Sequence, residues 1–169
     1  MNAALAAWNQ ADAQDALETM LACCGAQQWA EAMVARRPMR DVVELSTEAD
    51  SAWAAMEEAD WMEAFACHPR IGERKAAHAS AQSVAWSRQE QAGAAGAAAL
   101  VLEELAEGNV EYEEKFGFTY IVCATGKSAE EMLAMLKNRL GRTRVMELRE
   151  AAEQQRQIMQ IRLGKWLSQ

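Results

Sequence analysis

The chain has little of what a metal centre, a disulfide framework or a turn-rich sheet requires. Its only histidines are His68 and His78, and there is no H-E-x-x-H or Cys/His cluster, so a zinc site would be short of ligands and no metal is expected. The four cysteines, Cys23, Cys24, Cys67 and Cys123, form no C-x-x-C pair and no regular spacing, which reads as reduced thiols in a cytoplasmic protein. Two prolines and nine glycines leave little room for a turn-rich β architecture. A glycine-rich phosphate loop and a G-x-S-x-G elbow are both missing, so no cofactor is expected. No apolar run approaches membrane-spanning length, and no basic-then-apolar leader opens the chain. The last residues, Trp166-Leu167-Ser168-Gln169, are not the S-K-L address. Basic charge is also scarce: the formal net charge of −8 argues against nucleic acid or an anionic membrane as partner, since either needs a basic face. An anionic ligand would have to be held by locally placed groups.

What is present favours helix. Of 169 residues, 51% are hydrophobic and 25% charged, the balance of a soluble globular chain of one-domain size. Alanine, glutamate, leucine, methionine, glutamine and arginine abound, and these lose little side-chain entropy in a helix. The expected fold is all-α: a single-domain multi-helix bundle over residues 1–169, with one short extended segment near residues 118–124. Periodicity predicts helices over roughly 11–23, 28–36, 41–58, 128–140 and 143–166. The alanine-rich run Ala92 to Ala99 continues into Leu100-Val101-Leu102 and Leu105 at helical spacing, predicting one closely packed helix there. Gly25, Pro38, Gly72, Gly108, Gly117, Gly126 and Gly141 punctuate the pattern, and Ser128 with Glu131 has the form of a capping box. Phe118 to Ala124 is aromatic and β-branched between two glycines, hence extended. A lone extended segment leaves backbone groups without ladder partners, and a polar ligand is one candidate to bond them.

Four residues stand out against these patterns. His68 precedes Pro69, which pushes it toward an extended conformation and so fixes where the imidazole points; it is either a capping or core histidine or a working one. Ser87 and Glu90 fit S-x-x-E and could be an N-cap with its reciprocal partner. Alternatively, stepping about 100° per residue places Ser87, Gln91, Ala94, Ala98, Val101, Leu102 and Leu105 on one stripe with Glu90 at its margin, which puts polar groups at one end of an apolar face. Arg162 falls within the face formed by Ile158, Met159, Ile161, Leu163 and Trp166. It is either a snorkelling side chain near a helix C-terminus or a guanidinium fork facing a carboxylate.

Read in order, His68-Pro69-Arg70-Ile71-Gly72, Ser87-x-x-Glu90-Gln91-Ala92-Gly93 and Asn109-x-x-Tyr112-Glu113-x-Lys115-Phe116-Gly117-Phe118 resemble the signature blocks of the 2-oxo-4-hydroxy-4-carboxy-5-ureidoimidazoline (OHCU) decarboxylase family. Tyr120 to Ser128 and Ile161-Arg162-Leu163 extend the likeness over nearly the whole chain. The resemblance implies a helical, homodimeric, cofactor-independent lyase that acts on an anionic ureidoimidazoline and releases (S)-allantoin and CO₂. It implies that His68, Glu90 and Arg162 are the catalytic set, with His68 as proton donor. Pro69, the segment Ser87, Arg88, Gln89, Glu90 and Gln91, and the segment Tyr120, Ile121, Val122, Cys123 and Ala124 would line the substrate. Thr119 and Tyr120 depart from the proline and phenylalanine common in the family. A non-enzymatic helical module that binds a ligand or protein is the alternative, and a metal-dependent hydrolase or lyase is disfavoured by the shortage of ligands.

Overall fold

The computed structural model describes residues 2–72, 80–94 and 97–169; His78, Ala95 and Gly96 lie outside them. Among the described residues there are helices and no strand: α1 (Ala3–Gln10), α2 (Ala13–Cys23), α3 (Gln27–Ala35), α4 (Val42–Ala54), α5 (Glu58–Ala66), α6 (Ala81–Glu90), a short 3₁₀ turn (Ala92–Ala94), α7 (Ala99–Phe116), α8 (Ala129–Leu140) and α9 (Arg144–Leu167). The all-α expectation is met. The chain forms two compact units, Met1–Ala64 with Arg156–Gln169, and Phe65–Gln155.

In the first unit local sequence starts α1, α2 and α4. Asn2 accepts from the Leu5 amide, Asp12 from that of Asp15, and Asp41 from those of Val43 and Glu44, the capping that short polar side chains supply to orphan N–H groups. The helices bury Leu5, Trp8, Met20, Trp29, Met33, Leu45 and Trp53. The buried indoles of Trp8 and Trp29 donate to Ala16 O and Ala49 O at 3.0 and 3.1 Å, so these large apolar bodies are buried without stranding their N–H groups. The α9 residues in this unit dock on α4, where Arg156 meets Asp50 and Gln160 donates to Ser46 O and Asp50. The single helix predicted over 41–58 is instead α4 followed by α5. The Glu57 amide bonds to the Asp60 carboxylate at 2.9 Å, opening a second helix after a break at Met56.

The second unit packs α7 on α8 around aromatic side chains. Tyr112 lies 4.6 Å from Phe116 and 5.4 Å from Tyr120 between ring centroids, and Phe65 lies 5.4 Å from Phe118. Ser128 and Glu131 form the expected capping box at the start of α8. Gly117 closes α7 with φ +83, a left-handed turn open to glycine at no steric cost.

Three expectations fail here. Gly108 does not end a helix: it sits inside α7, where an added Cβ would lie 2.6 Å from Leu136 Cδ2, so its role is close helix packing. Ser87 is not an N-cap, because α6 begins seven residues earlier on Ser80, whose hydroxyl accepts from the Ser83 amide. The alanine-rich stretch is not one helix: the 3₁₀ turn covers Ala92–Ala94, Ala97 and Ala98 are non-helical, and α7 starts at Ala99. Gly93 supplies the reason. A Cβ there would stand 2.3 Å from the Lys127 carbonyl oxygen, so the turn is drawn against that backbone and the contact overrides alanine's helix propensity.

Candidate functional site

α6 turns an unusually polar face inward. Ser83, Trp86, Ser87 and Glu90 are its buried residues, spaced i, i+3, i+4 and i+7, whereas Arg88 and Gln89 face solvent. Of the two alternatives for S-x-x-E, the cap is excluded and the polar inward face of Ser87 and Glu90 is present. Glu90 is only 7% exposed. A carboxylate so placed is costly without partners or a ligand.

His68 follows α5, with its amide bonded to Phe65 O and Pro69 buried behind it. The imidazole is half-buried, and its Nε2 lies 2.6 Å from Gln155 Oε1. The H-P-R-I-G segment is fastened at two further points. Arg70 makes a two-point pair with Glu113 of α7, Nε to Oε1 at 2.8 Å and Nη2 to Oε2 at 2.6 Å, and the Gly72 amide donates to Gln91 Oε1 at 3.0 Å. The last bond ties the histidine segment to the end of α6, so two of the sequence blocks are brought together.

Tyr120 to Ala124 is neither helix nor strand, and it is buried throughout. Side chains serve its backbone instead. Arg139 Nη1 donates to Ile121 O at 2.7 Å, Gln154 Oε1 accepts from the Cys123 amide at 2.8 Å, and Lys127 Nζ donates to Cys123 O at 2.7 Å. The Tyr120 hydroxyl donates to Met132 O. Much of the bonding left open for a ligand is thus met by the protein, while the amides of Val122 and Ala124 find no acceptor among the described residues. Behind this wall Arg139 pairs with Glu147 at 2.8 Å, and Tyr112 donates to the same carboxylate oxygen at 2.6 Å. Arg139 also lies 4.9 Å over the Tyr120 ring. Burial pushes the Tyr112 and Tyr120 phenols well above their ordinary range, so both remain protonated donors.

Arg162 belongs to the first unit. It is 2% exposed, with Nη1 3.5 Å from Ala22 O, and it acts on the adjacent Cys23. Burial raises that thiol to about 12, against the lowering effect of the Arg162 charge. The snorkelling alternative is excluded, because a snorkelling head reaches water. Among the described residues no group of three or more His, Cys, Asp or Glu side chains is placed to hold a metal ion, and no helix is long and apolar enough to cross a membrane.

Sequence reasoning missed the residues that hold the site: Gln154, Gln155 and Arg139. The available signal was a polar run, Gln154-Gln155-Arg156, across positions where α9 is otherwise inward-facing.

As a class, this is an all-α protein whose polar side chains gather on a buried, unladdered stretch of backbone. A crystal structure described as OHCU decarboxylase in the presence of (S)-allantoin is similar to it, with a TM-score of 0.77 and 36% identity over 88% of this chain and 96% of that one. A structure of (S)-allantoin synthase shares the fold, with a TM-score of 0.71 at 16% identity over 96% of this chain and 53% of that one. Residues 9–164 match the family model described as OHCU decarboxylase, and the chain belongs to that family. It is 37% identical over 147 residues to the uric acid degradation bifunctional protein TTL of Arabidopsis thaliana, covering 86% of this chain and 45% of that protein. It is 32% identical over 97 residues to the 2-oxo-4-hydroxy-4-carboxy-5-ureidoimidazoline decarboxylase of Amia calva, covering 57% of this chain and 55% of that one. The chain thus spans about half the length of these curated relatives.

Proposed function

We propose that this chain decarboxylates 2-oxo-4-hydroxy-4-carboxy-5-ureidoimidazoline to (S)-allantoin and CO₂ in urate breakdown, without a cofactor. The observation that carries the reading is a half-buried imidazole held at 2.6 Å by Gln155, in a chain that matches the family over residues 9–164. The bond from the substrate carbon to its carboxylate breaks, CO₂ leaves, and the electron pair passes into the adjacent imine-like ring. The substrate is its own electron sink. What remains for the protein is to position, to stabilise charge and to place one proton on one face of the neighbouring ureido-bearing carbon, while the hydroxyl on the decarboxylated carbon loses its proton and becomes the carbonyl.

His68 is the proton donor, suited to the task because its ordinary pKa lies near physiological pH. Glu90, buried with Ser87 on the polar face of α6, orients the ligand. The amides of Val122 and Ala124 are donors for substrate oxygens along the wall. On the family resemblance Pro69, Gln91, Tyr120, Ile121 and Cys123 also line the substrate; Arg88 and Gln89, both exposed, contribute through their backbone. The family resemblance gives Arg162 the role of binding the substrate carboxylate, which the fork geometry of a guanidinium matches. Homodimer assembly and a cytoplasmic location complete the proposal. The first rests on the family resemblance and is checked by light scattering; the second rests on the lack of a C-x-x-C pair or a disulfide-framework spacing in the sequence and is checked by fractionation.

The decisive experiment supplies substrate made freshly from urate by oxidation and hydrolysis, then follows allantoin by circular dichroism. The expected result is rapid appearance of the (S) signal, unaffected by exhaustive chelation. Racemic allantoin at the uncatalysed rate would end the proposal.

A further inference from the structure

We propose that Asn109 binds the ureido arm of the ligand, its Oδ1 accepting from an N–H of the arm and its Nδ2 donating to the arm's carbonyl oxygen. The inference rests on the decarboxylase reading above. The buried residues of α7 are Leu105, Asn109, Tyr112 and Phe116, so Asn109 puts a carboxamide into a stripe that is otherwise aliphatic and aromatic. It is fully buried, and neither Oδ1 nor Nδ2 has a hydrogen-bond partner among the described residues. The large majority of buried side-chain polar atoms are bonded, and an amide open at both ends is destabilising until something meets it.

Helical phase says where the amide stands. Tyr112, three residues on, meets the Tyr120 ring of the wall at 5.4 Å between centroids. Glu113, four residues on, holds Arg70 of the histidine segment. At about 100° per residue, Asn109 lies in the sector between those two directions, one turn before them. The open amide is thus on the face of α7 that the wall and the His68 segment share. Its chemistry selects the group it takes. A carboxylate would use only Nδ2 and set an anion against Oδ1, and a cation would use only Oδ1. A urea-type group carries N–H donors beside a carbonyl acceptor, so it meets both ends of the amide at once. Held there, the arm fixes which face of the carbon bearing it can receive a proton, and hence the handedness of the product.

The test compares (S)-allantoin, which carries the ureido arm, with hydantoin, the same ring without it, by calorimetric titration. Asn109→Leu, close in shape but without polar atoms, should bind allantoin roughly 10–100-fold more weakly, the loss expected when a buried hydrogen-bonding group is removed. Hydantoin should bind both proteins alike. The wild type gives a second readout that does not depend on the variant folding. Asn2, Asn9, Asn109 and Asn138 are the chain's asparagines, and in ¹⁵N-asparagine-labelled protein Asn2→Asp, Asn9→Asp and Asn138→Asp assign the side-chain NH₂ pair of Asn109 by elimination. Allantoin should move that pair and hydantoin should not. A pair unmoved at saturating allantoin, or an Asn109→Leu protein that binds both ligands as the wild type does, overturns the inference and leaves the amide to buried water. An equal loss of both ligands overturns it too, making Asn109 structural. A wild type that makes (S)-allantoin with the Asn109 pair unmoved removes the inference alone, whereas one that makes none removes the decarboxylase reading and the inference with it.

Discussion

Arg139→Met tests whether the charged network behind the wall serves stability, shape or both. Glu147 is fully buried and Arg139 is 2% exposed, with Nε 2.8 Å from Oε2. Oε1 of Glu147 has no hydrogen bond; Arg142 stands 3.5 Å from it, an ion pair too long to replace one. Removing Arg139 therefore leaves a buried carboxylate held mainly by the Tyr112 hydroxyl, and stranding one partner of a buried pair costs about 3–5 kcal/mol. For a chain of this size each kcal/mol moves the melting temperature by roughly 2–4 °C, so a fall of about 10 °C is expected by calorimetry. Arg139→Met combined with Glu147→Gln removes both charges and keeps an acceptor for Tyr112, so most of the loss should return. Turnover should not return with it, because Ile121 O still lacks the Arg139 donor. A double variant as unstable as the single one would refute the stranded-charge argument. Wild-type turnover in the double variant would refute the role of Arg139 in shaping the wall.

His68→Asn should keep the wild-type melting temperature while turnover falls by roughly 10²–10⁴-fold, the usual contribution of a general acid; near-normal turnover in a stopped-flow assay would place the proton donor elsewhere. Arg162→Lys keeps the charge but loses the planar two-point contact, so activity should drop, whereas Arg162→Met should give a stable protein with poor activity. A chain unfolded by Arg162→Met, by circular dichroism, would make the arginine structural. Gly93→Ala should lower stability by about 1–3 kcal/mol in urea titration because its Cβ meets rigid backbone. Gly108→Ala, whose Cβ meets only the movable end of Leu136, should be milder, and the reverse order would contradict the packing described. Cys23, pushed up to about 12 by burial, is almost wholly thiol at pH 8. Iodoacetamide should therefore modify the half-buried Cys67 first, and early labelling of Cys23 by mass spectrometry would count against this.

The parts of the fold that were legible are those encoded within a few residues. The capping box of Ser128 and Glu131 announced α8, and α2 and α3 begin and end within about two residues of their predicted limits, the usual uncertainty of helix ends. The β-branched run after Gly117 correctly marked a non-helical segment. Long-range contacts were illegible: nothing near Gly93 reveals that Lys127 O will lie against it, and nothing near Gly108 reveals Leu136. The same division holds in the site. Buried polarity at Glu90 and Arg162 could be inferred from helical faces. Gln154, Gln155 and Arg139 carry meaning only through Cys123, His68 and Ile121, each distant in sequence, and helical propensity gives no reason to separate these glutamines from the chain's many others.

The side-chain fastening of Tyr120 to Ala124 has a consequence for how this family diversifies. In a sheet, neighbouring backbone pairings are coupled, so shifting one disturbs the row. Here Arg139, Gln154 and Lys127 each hold a separate backbone atom, and each is specified by a single codon. Ligand preference can therefore drift one bond at a time, through substitutions at residues that never touch the ligand. Two homologues with identical wall sequences but different anchors need not share a substrate, and comparing lining residues alone would miss the difference.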